Sequence, residues 1–301
     1  MKLVQTLHSQ EDESVNFVFD NGQEARYVQR DGYFIIYLSS QGGCDRACRF
    51  CHLTQTGQTD MTQATLDDQL TQAGVVLEHY ARESEAGRVP KVSAVHYNWM
   101  ARGEPLLNPV VRNEWGVLSQ VLRVLANRQG LLDVRMNIST IMPEELGVGN
   151  DVEWWNKLLA PTDSYNIQPT IFYSLYSMQP KFRRRWLPKA MSAPAALSNL
   201  GILQRRHQVE IVIHHALIQG ENDSAVDAEA IGHALDDQWI RARFNLVRYN
   251  PYSPAQGVEP DEETIQKYFD TITKYMSVGG SRIVPRVGFD VKASCGMFVQ
   301  Q

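Results

Sequence analysis

The sequence predicts an α/β protein: a partial (β/α)6 barrel preceded by an N-terminal β-hairpin and followed by a C-terminal extension. Three observations support this fold class. Two alternating apolar runs near the start are joined by Asn21-Gly22, six later apolar runs are each followed by a helical pattern, and no repeat or linker divides the chain. Six β-then-α units favour a parallel sheet, but they fall short of the eight that close a TIM barrel.

The N-terminal hairpin is predicted from "VNFVFDNGQEARYV". Asn-Gly between two alternating runs is the strongest short-range signal of a hairpin, because both residues accept the positive φ angles of a tight turn. We assign residues 1–30 to this hairpin extension. We assign residues 31–301 to a core domain that includes a C-terminal tail.

The barrel elements follow in order. Apolar runs predict strands at 33–40, 91–100, 133–140, 167–175, 209–218 and 243–251. Helical patterns predict helices near 64–86, 113–129, 151–159, 193–207, 224–238 and 261–277. Acidic residues directly after a proline, at 143–147 and 260–263, are typical of helix starts. A late run, 281–287, is a candidate for one more strand.

Composition limits the class of protein. The chain has 301 residues and a net charge of −5, which argues against a nonspecific nucleic-acid coat protein, since such proteins are basic. No apolar run reaches the ~18 residues that cross a bilayer, and the N-terminus lacks the apolar core of a signal peptide. We therefore expect a cytoplasmic protein with no membrane partner. In that compartment, clustered cysteines more often bind metal or do chemistry than form disulfides.

Three of the four cysteines lie close together, in "CDRACRFC". Cys44, Cys48 and Cys51 are separated by three and by two residues, a spacing that lets a tight loop wrap one polynuclear centre. Thiolates are soft ligands that suit zinc, copper(I) and iron–sulfur clusters. The residue types and their spacing therefore predict a metal centre after the first barrel strand.

Several centres fit three thiolates. A four-iron cluster held by three cysteines keeps one iron open, whereas a closed electron-transfer cluster needs a fourth cysteine, for which Cys295 is the candidate. A zinc site could use His52, although the adjacent Cys51 and His52 would then have to point at one tetrahedral ion. Three unrelated buried cysteines are the remaining alternative. A non-enzymatic iron–sulfur or zinc protein is thus one open interpretation.

Polar residues follow the predicted strands at their carboxyl ends, where chemistry sits in parallel β/α folds. The first strand runs into the cysteines, and the second runs into "ARGEPLLN" (101–108). The third ends at Ser139, the fourth at Ser174 and the sixth at Asn250. We expect these residues to meet on one rim of the barrel.

The cysteine motif and its surroundings resemble a known family. Cys-x3-Cys-x2-Cys after the first strand of a partial barrel resembles the radical S-adenosylmethionine (SAM) superfamily. Five segments, in order and at about the family's spacing, resemble the RlmN/Cfr-type adenine methyltransferases of RNA: "SSQGGCDRACRFCHLTQTG", "RGEPLLN", "ISTIMP", "YNPY" and "KASCGMF". Several motifs in register are more specific than one. The similarity extends from about residue 20 to residue 301 and implies a partial (β/α)6 radical-SAM barrel.

The resemblance implies two cofactors. The three clustered cysteines would hold a [4Fe-4S] cluster whose open iron binds SAM, and the reduced cluster would cleave SAM to a 5′-deoxyadenosyl radical. The implied SAM-binding residues are Gly103, Glu104, Ser139, Ser174, Leu175, Tyr176 and Asn250. Glu104 would face the amino group of SAM, a pairing of opposite charges. Tyr176 stands where the family has histidine, and Tyr249 stands where it has tryptophan.

The resemblance also implies two catalytic residues. Cys295, in the Cys-Gly context of the family, would be methylated by one SAM, and a radical from a second SAM would activate that methyl group to attack adenine. Glu24 aligns with a family glutamate that accepts a proton; a solvated surface charge beside the hairpin turn is the alternative. The implied substrate is RNA, either rRNA or tRNA. The implied electron donor is a flavodoxin or a ferredoxin, and a monomer is expected.

Two departures from the family bear on the reaction. Family members have a second essential cysteine seven residues before the cluster motif, which resolves a cysteine–RNA adduct by forming a disulfide; this sequence has Tyr37 there. A phenol, with an ordinary pKa of ~10, is a poor base and cannot form a disulfide. The family's N-terminal helical module, which helps to grip RNA, is also not seen. A radical SAM enzyme of the same fold with a different reaction or substrate is therefore a second interpretation.

Two further features carry weaker signals. In "QPKFRRRWLPKAM" (179–191), basic residues are interleaved with Phe182 and Trp186. This pattern suits phosphate contacts with base stacking, and equally a solvated helix with two core aromatics. His214 and His215 lie in an apolar strand. We expect one of them in the core and the other facing the barrel, and neither as a ligand.

Overall fold

The computed structural model describes residues 1–147, 153–160 and 166–300. Within these ranges, ten strands form one sheet whose spatial order follows the chain order. The strands are β1 (Leu3–His8), β2 (Val15–Phe19), β3 (Glu24–Arg30), β4 (Tyr33–Leu38), β5 (Ala94–Trp99), β6 (Asp133–Thr140), β7 (Thr170–Tyr173), β8 (Ile211–Ala216), β9 (Ala242–Val247) and β10 (Arg282–Val284). The edges of the sheet are β1 and β10, so strand pairing does not close the barrel. The predicted α/β fold with a partial barrel is confirmed.

Helices connect the parallel strands. They are α1 (His52–Gln55), α2 (Leu66–Glu85), α3 (Pro109–Asn113), α4 (Trp115–Arg128), α5 (Glu153–Leu159), α6 (Pro180–Trp186), α7 (Ala193–His207), α8 (Ala225–Asp237) and α9 (Glu262–Ile272). The six predicted helices correspond to α2, α4, α5, α7, α8 and α9. The first two residues of the prediction at 151–159 lie outside the described residues. The acidic segment at 143–147 forms a single 3-10 turn, Glu144–Leu146, and no α-helix.

The predicted N-terminal hairpin is confirmed as part of a larger antiparallel unit. β2 pairs with β3, and Gly22 adopts a φ of +82° between them. β1 was not predicted from the sequence; it pairs with β2 as an exposed edge strand. β3 pairs with β4 from Ala25 to Arg30, so the hairpin and the barrel share one sheet. The domain boundary after residue 30 stays a prediction.

The barrel is built from parallel strands. β4 to β9 pair in parallel, and β10 adds to β9 as the predicted late strand. The gap between β4 and β10 is spanned by a hydrogen bond, in which Arg282 Nη1 donates to the hydroxyl of Tyr33 at 3.4 Å. The Tyr33 ring stacks on His96 of β5, with 4.2 Å between ring centroids. Side chains thus complete at this end a barrel that the backbone leaves open.

The helices cover the outer face of the barrel, and two of them, α2 and α8, begin with a capping box. Thr65 accepts a hydrogen bond from the N–H of Asp68, whose carboxylate accepts from the N–H of Thr65. This capping box satisfies two backbone donors that the first turn of α2 would otherwise leave unpaired. Ser224 and Asp227 do the same for α8. Because the strands from β4 to β9 are parallel, their carboxyl ends meet at one edge, so the loops that carry the predicted site residues lie on one rim.

Candidate active site

The loop after β4 carries the three clustered cysteines. Cys44, Cys48 and Cys51 line a cavity of about 100 Å³, which we call the thiol cavity. A Cβ on Gly43 would lie 2.5 Å from the carbonyl oxygen of Gln58, so this position requires glycine. The N–H of Cys44 donates to the same carbonyl at 3.0 Å, and the N–H of Cys51 donates to the carbonyl of Cys48 at 3.0 Å. The fold therefore brings the three predicted ligands to one cavity.

The three thiols are poorly solvated. Burial raises the pKa of Cys44 to about 12, and it also raises the pKa of Cys48 and of Cys51. Neighbouring thiols raise the pKa of Cys44 and Cys48 further, because adjacent thiolates repel each other. A cationic iron centre would offset both effects, since thiols bind metal in their deprotonated form.

The donor set fits a polynuclear cluster better than a single ion. In the described part of the chain, no three His, Cys, Asp or Glu side chains converge closely enough to hold one metal ion. The three thiols are instead distributed around the thiol cavity, and a cluster offers a different iron to each thiolate. His52 is engaged elsewhere: its Nε2 lies 3.1 Å from the carbonyl oxygen of Asn250, and its ring packs edge-on against Tyr252. This arrangement gives no support to a zinc site that includes His52.

Gly103 and Glu104 complete the wall of the thiol cavity. Gly103 has a φ of +98°, and a Cβ there would lie 1.7 Å from Oε1 of Gln41. That oxygen accepts a hydrogen bond from the N–H of Glu104 at 2.7 Å, so the glycine lets Gln41 fix the next residue. Both predicted residues are therefore next to the cysteines.

The Glu104 carboxylate is buried and aimed by the backbone. Its two oxygens accept hydrogen bonds from the N–H groups of Leu106, at 3.2 Å, and Ile141, at 3.1 Å. Burial raises its pKa to about 7, and the hydrogen bond from Ile141 opposes that shift. A bound ammonium group would favour the charged carboxylate. The chemistry at this wall therefore suits a ligand with an amino group.

The other residues predicted to bind SAM are spread more widely. Ser139 and Ser174 are half-buried at the ends of β6 and β7. Leu175 is fully buried in the main core, and its carbonyl accepts a hydrogen bond from Arg183. Tyr176 has a φ of +60°, and its ring stacks on Phe50 of the cysteine loop with 4.4 Å between centroids. None of these four predicted residues lines the thiol cavity, and their role in SAM binding stays a prediction.

A second and larger cavity fills the barrel. It has a volume of about 130 Å³ and is lined by inward-facing side chains of the strands; we call it the barrel cavity. Cys295, Tyr37 and Asn250 line it. The Cys295 side chain is exposed to this cavity and surrounded by protein, which raises the pKa of its thiol to about 11. Cys295 thus opens onto a different cavity from the three clustered thiols, so the structure does not favour it as a fourth cluster ligand.

The tail that carries Cys295 is fixed beside the cysteine loop. Asn250 Nδ2 donates to the carbonyl of Cys295 at 3.0 Å, and the N–H of His52 donates to the carbonyl of Gly296 at 2.9 Å. Arg286 Nε in turn donates to Asn250 Oδ1 at 2.8 Å. Phe298, three residues after Cys295, lines the thiol cavity. The tail therefore forms part of the wall between the two cavities.

Glu24 is the centre of a buried ionic cluster, which we call the tail clamp: Glu24, Arg26 and Arg102. Glu24 is fully buried and forms ion pairs with Arg26 at 3.0 Å and with Arg102 at 2.6 Å. Its Oε1 also accepts the N–H of Val299 at 3.0 Å. Arg26 donates to the carbonyl of Met297 at 2.6 Å, and Arg102 donates to that of Val299 at 2.5 Å. Glu24 is therefore not a solvated surface charge.

Sequence reasoning missed Arg26 and Arg102. A signal was present for each of them: Arg26 is two residues after Glu24, so both lie on one face of β3, and Arg102 directly precedes Gly103. The partners of both arginines are carbonyls of a tail some two hundred residues or more away in the chain. These residues come into contact only when the chain folds. Whether Glu24 also accepts a proton stays a prediction.

The burial of side chains distinguishes between the alternatives for α6 and for the two histidines of β8. Phe182 and Trp186 are buried in a small apolar cluster, so α6 is the solvated helix with two core aromatics. His215 is fully buried beside Tyr268, whereas His214 lines the barrel cavity, as expected. No helix in the described ranges is long and apolar enough to cross a membrane.

The chain is similar to several known RNA methyltransferases. No family model matches the chain. It is 23% identical over 283 residues to a dual-specificity RNA methyltransferase RlmN of Campylobacter hominis, covering 92% of this chain and 69% of that protein. It is 27% identical to the RlmN of Rhizobium leguminosarum bv. trifolii, covering 91% of this chain and 64% of that protein. A probable RNA methyltransferase of Rhodopseudomonas palustris is also 27% identical, with coverages of 91% and 67%.

Solved structures with the same fold include a radical SAM methyltransferase from Sphaerobacter thermophilus. The TM-score is 0.73 at 20% identity, and the match covers 98% of this chain and 80% of that one. The hydrogenase maturase HydG matches with a TM-score of 0.57 at 12% identity, over 84% of this chain and 52% of that one.

The barrel, the cysteine loop at its rim and these likenesses define the protein as one with the radical SAM fold. Within that class the chain is a distant relative of the RlmN RNA methyltransferases, as its motifs predict. It spans about two thirds of the length of the RlmN relatives that it matches.

Proposed function

We propose that the protein is a radical SAM enzyme that methylates an adenine of RNA through a methyl group carried on Cys295. The observation that supports this most directly is the position of Cys295. Its thiol faces the barrel cavity, while the backbone of the next residue, Gly296, is hydrogen-bonded to the cysteine loop. A nucleophile held between a cofactor loop and a cavity inside the barrel suits covalent relay.

The thiol cavity is the proposed cofactor site. Cys44, Cys48 and Cys51 would hold a [4Fe-4S] cluster, and the Glu104 carboxylate would bind the amino group of SAM. When bound, these cofactors would supply the 5′-deoxyadenosyl radical. The chain's own contribution is to place the ligands, exclude water and aim Glu104 through the N–H groups of Leu106 and Ile141.

Cys295 would accept the methyl group of SAM on its sulfur and lose its proton. The thiol has a raised pKa, so its proton must leave as the carbon–sulfur bond forms. The fixed carbonyls of Cys295 and Gly296 hold the tail in place for that step. The released product would be S-adenosylhomocysteine.

A second candidate is a different modification on the same fold, and Tyr37 favours it. Tyr37 lines the barrel cavity with Cys295, where the family has its resolving cysteine. Burial raises the pKa of Tyr37, so it stays a neutral phenol that can donate a hydrogen bond but cannot form a disulfide. Either another group or an external thiol releases the adduct, or the reaction differs.

The decisive experiment is mass spectrometry of two kinds. Peptides of protein purified from cells should show an added CH2 on Cys295, and nucleosides of RNA from cells with the gene should contain a methyladenosine that cells without it lack. Cys295→Ala should abolish the nucleoside and leave the iron content unchanged, whereas Cys51→Ala should lose the cluster. Unmodified Cys295 together with a fully active Cys295→Ala variant would replace the first candidate with the second.

The partners follow from the same proposal. We infer that rRNA or tRNA is the substrate, that a flavodoxin or a ferredoxin supplies the electron, and that the enzyme acts as a cytoplasmic monomer without a membrane partner. The RNA methyltransferase names of the relatives support an RNA substrate. Gel filtration and reduction by each purified donor would test the remaining inferences.

A further inference from the structure

The barrel cavity has a second end, at the amino-terminal edge of the parallel strands and away from the cysteine loop. Four arginines line it, and we call them the basic mouth: Arg30, Arg135, Arg243 and Arg282. They lie on β3, β6, β9 and β10, so they reach this end from different sides of the barrel. Arg135 and Arg282 are exposed, which opens the cavity to solvent here.

The positive charge of the basic mouth is only half compensated. Arg243 pairs with Glu210, and Arg135 lies 3.6 Å from Asp133. In the described ranges, no carboxylate lies within ion-pair distance of Arg30 or Arg282. Two of the four arginines therefore have no acidic partner there.

At the other end of the barrel cavity, near the carboxyl ends of the strands, the arginines do have acidic partners. Arg248 and Arg286, which also line it, are matched by two carboxylates, Glu259 and Glu262. The excess charge at the basic mouth is thus a local property of that end.

Neighbouring positive charges lower the pKa values of groups at the basic mouth. The pKa of Arg243 is lowered first by burial and then by the charges of Arg282 and Arg135. Burial lowers the pKa of His96 to about 4, and Arg135 is the next cause. Such repulsion is a cost that a bound anion would remove.

A second observation points to a ligand inside the cavity. Asn245 is 4% exposed and lines the cavity, and its Oδ1 has no hydrogen-bond partner. A buried polar atom without a partner costs stability, so a group in the cavity that donates a hydrogen bond to Asn245 Oδ1 would be favourable. Asn245 is in register with Arg282 on the neighbouring strand. Nearby, Asn137 Nδ2 donates to Asn98 Oδ1 at 2.6 Å, which adds two more amides to the lining.

We propose that the basic mouth binds a phosphate group of the substrate, whose base then lies against Asn245 with its reacting edge toward Cys295. This rests on the proposed function, because it takes Cys295 as the methyl donor. Arginine suits phosphate through paired, charge-assisted hydrogen bonds, and the amide of asparagine suits the amino group of adenine. The phosphate belongs to a nucleotide unit, either free or within an RNA strand.

The test measures binding and not turnover. Protein loaded with its cluster, kept without oxygen and saturated with SAM, is titrated calorimetrically with adenosine, adenosine 5′-monophosphate, inorganic phosphate and a short single-stranded oligoribonucleotide. The monophosphate should bind more tightly than adenosine. Arg30→Gln and Arg282→Gln should each weaken it roughly tenfold, the loss expected for one charge-assisted contact, and leave adenosine unchanged.

The control is Arg88→Gln, which removes an exposed arginine paired with Glu83 outside the cavity and should change no affinity. Loss of affinity for both the monophosphate and the oligoribonucleotide would identify a phosphate that the site accepts within a strand, and loss for the monophosphate alone would identify a free nucleotide; both support the site. Equal affinities of wild type and variants for every phosphate probe would overturn it, as would an equal loss for adenosine. If Cys295 is methylated in that same protein, the proposed function survives and the basic mouth alone is wrong.

Discussion

The thiol cavity and the barrel cavity are built in opposite ways. Most of the wall of the thiol cavity comes from two short segments of the chain, 44–54 and 101–104, which carry the cysteines and Gly103-Glu104. The barrel cavity is larger, and single inward-facing residues of many strands line it. Short motifs that are contiguous in sequence form the first cavity, whereas the second exists only after the strands have paired.

The C-terminal tail belongs to both cavities. Phe298 lines the thiol cavity and Cys295 lines the barrel cavity. The tail clamp fixes this arrangement through carbonyls of the tail. The two cavities are therefore coupled by a segment that belongs to neither the loops nor the strands.

The largest expected effect on stability comes from removing the negative charge of the tail clamp. Glu24→Gln should lower the free energy of unfolding by about 3–5 kcal/mol, because Arg26 and Arg102 would stay buried without a counter-charge. Urea unfolding measures this loss. Alkylation of Cys295 by a maleimide should also become faster, because the tail loses one of its anchors.

The matched control is Glu83→Gln, which removes an ion pair with the exposed Arg88 and should leave both measurements unchanged. If Glu24→Gln behaved like the control in both, the tail would be held by other contacts, and the coupling of the two cavities would need another explanation.

The next largest effect is the change of stability with pH that Glu104 causes. Burial raises its pKa from 4.5 to about 7, so the folded protein holds a proton that the unfolded chain releases at lower pH. Its stabilising contribution is full below about pH 4.5 and is lost as the pH rises to about 7, a change on the order of 3 kcal/mol. Urea unfolding without SAM, at pH 5 and pH 8, should show this difference in wild type relative to Glu104→Gln.

The affinity for SAM should change with pH in the opposite direction to the stability. The charged carboxylate should bind the amino group of SAM, so the affinity should increase as the pH rises through about 7. Glu104→Gln should bind SAM weakly at both pH values. A variant that keeps the wild-type affinity and pH profile would remove Glu104 from the SAM site.

A smaller effect is expected at Gly43. Gly43→Ala would place a Cβ 2.5 Å from a backbone oxygen of Gln58, which should cost about 1–3 kcal/mol and reduce the iron bound per chain. Gly74→Ala is the control, because Gly74 lies within α2 and has open space around it. This control should be stabilised by about 0.5–1 kcal/mol. Equal iron content in both variants would show that the loop tolerates the displacement.

The most specific effect on chemistry is expected at Tyr37. Tyr37→Cys would place a thiol in the barrel cavity with Cys295, which should lower the fraction of Cys295 that carries a nucleotide adduct and raise turnover. Peptide mass spectrometry measures that fraction. Tyr37→Phe should leave the adduct unchanged, and a Tyr37→Cys variant that behaves like it would argue against relay with a resolving thiol.

Most of the fold could be predicted because its elements have strong local signals. The hairpin, the six barrel strands and the six helices each follow from apolar periodicity or from turn and cap residues. β1 was missed, because an exposed edge strand has little hydrophobic alternation to detect. The helix start at 143–147 was wrong, because the segment makes only one 3-10 turn before the described residues stop.

The sequence by itself determined the cysteine motif, its place after the first barrel strand and the relation to the RlmN enzymes. These are local in the chain, and spacing alone encodes how a short loop can present its thiols. Only the tertiary structure decided that Glu24 is buried between two arginines, that Cys295 opens onto a different cavity from the other thiols, and that four arginines share one end of the barrel. Each of these depends on strand register and on contacts between residues far apart in the chain, which no short window of sequence contains.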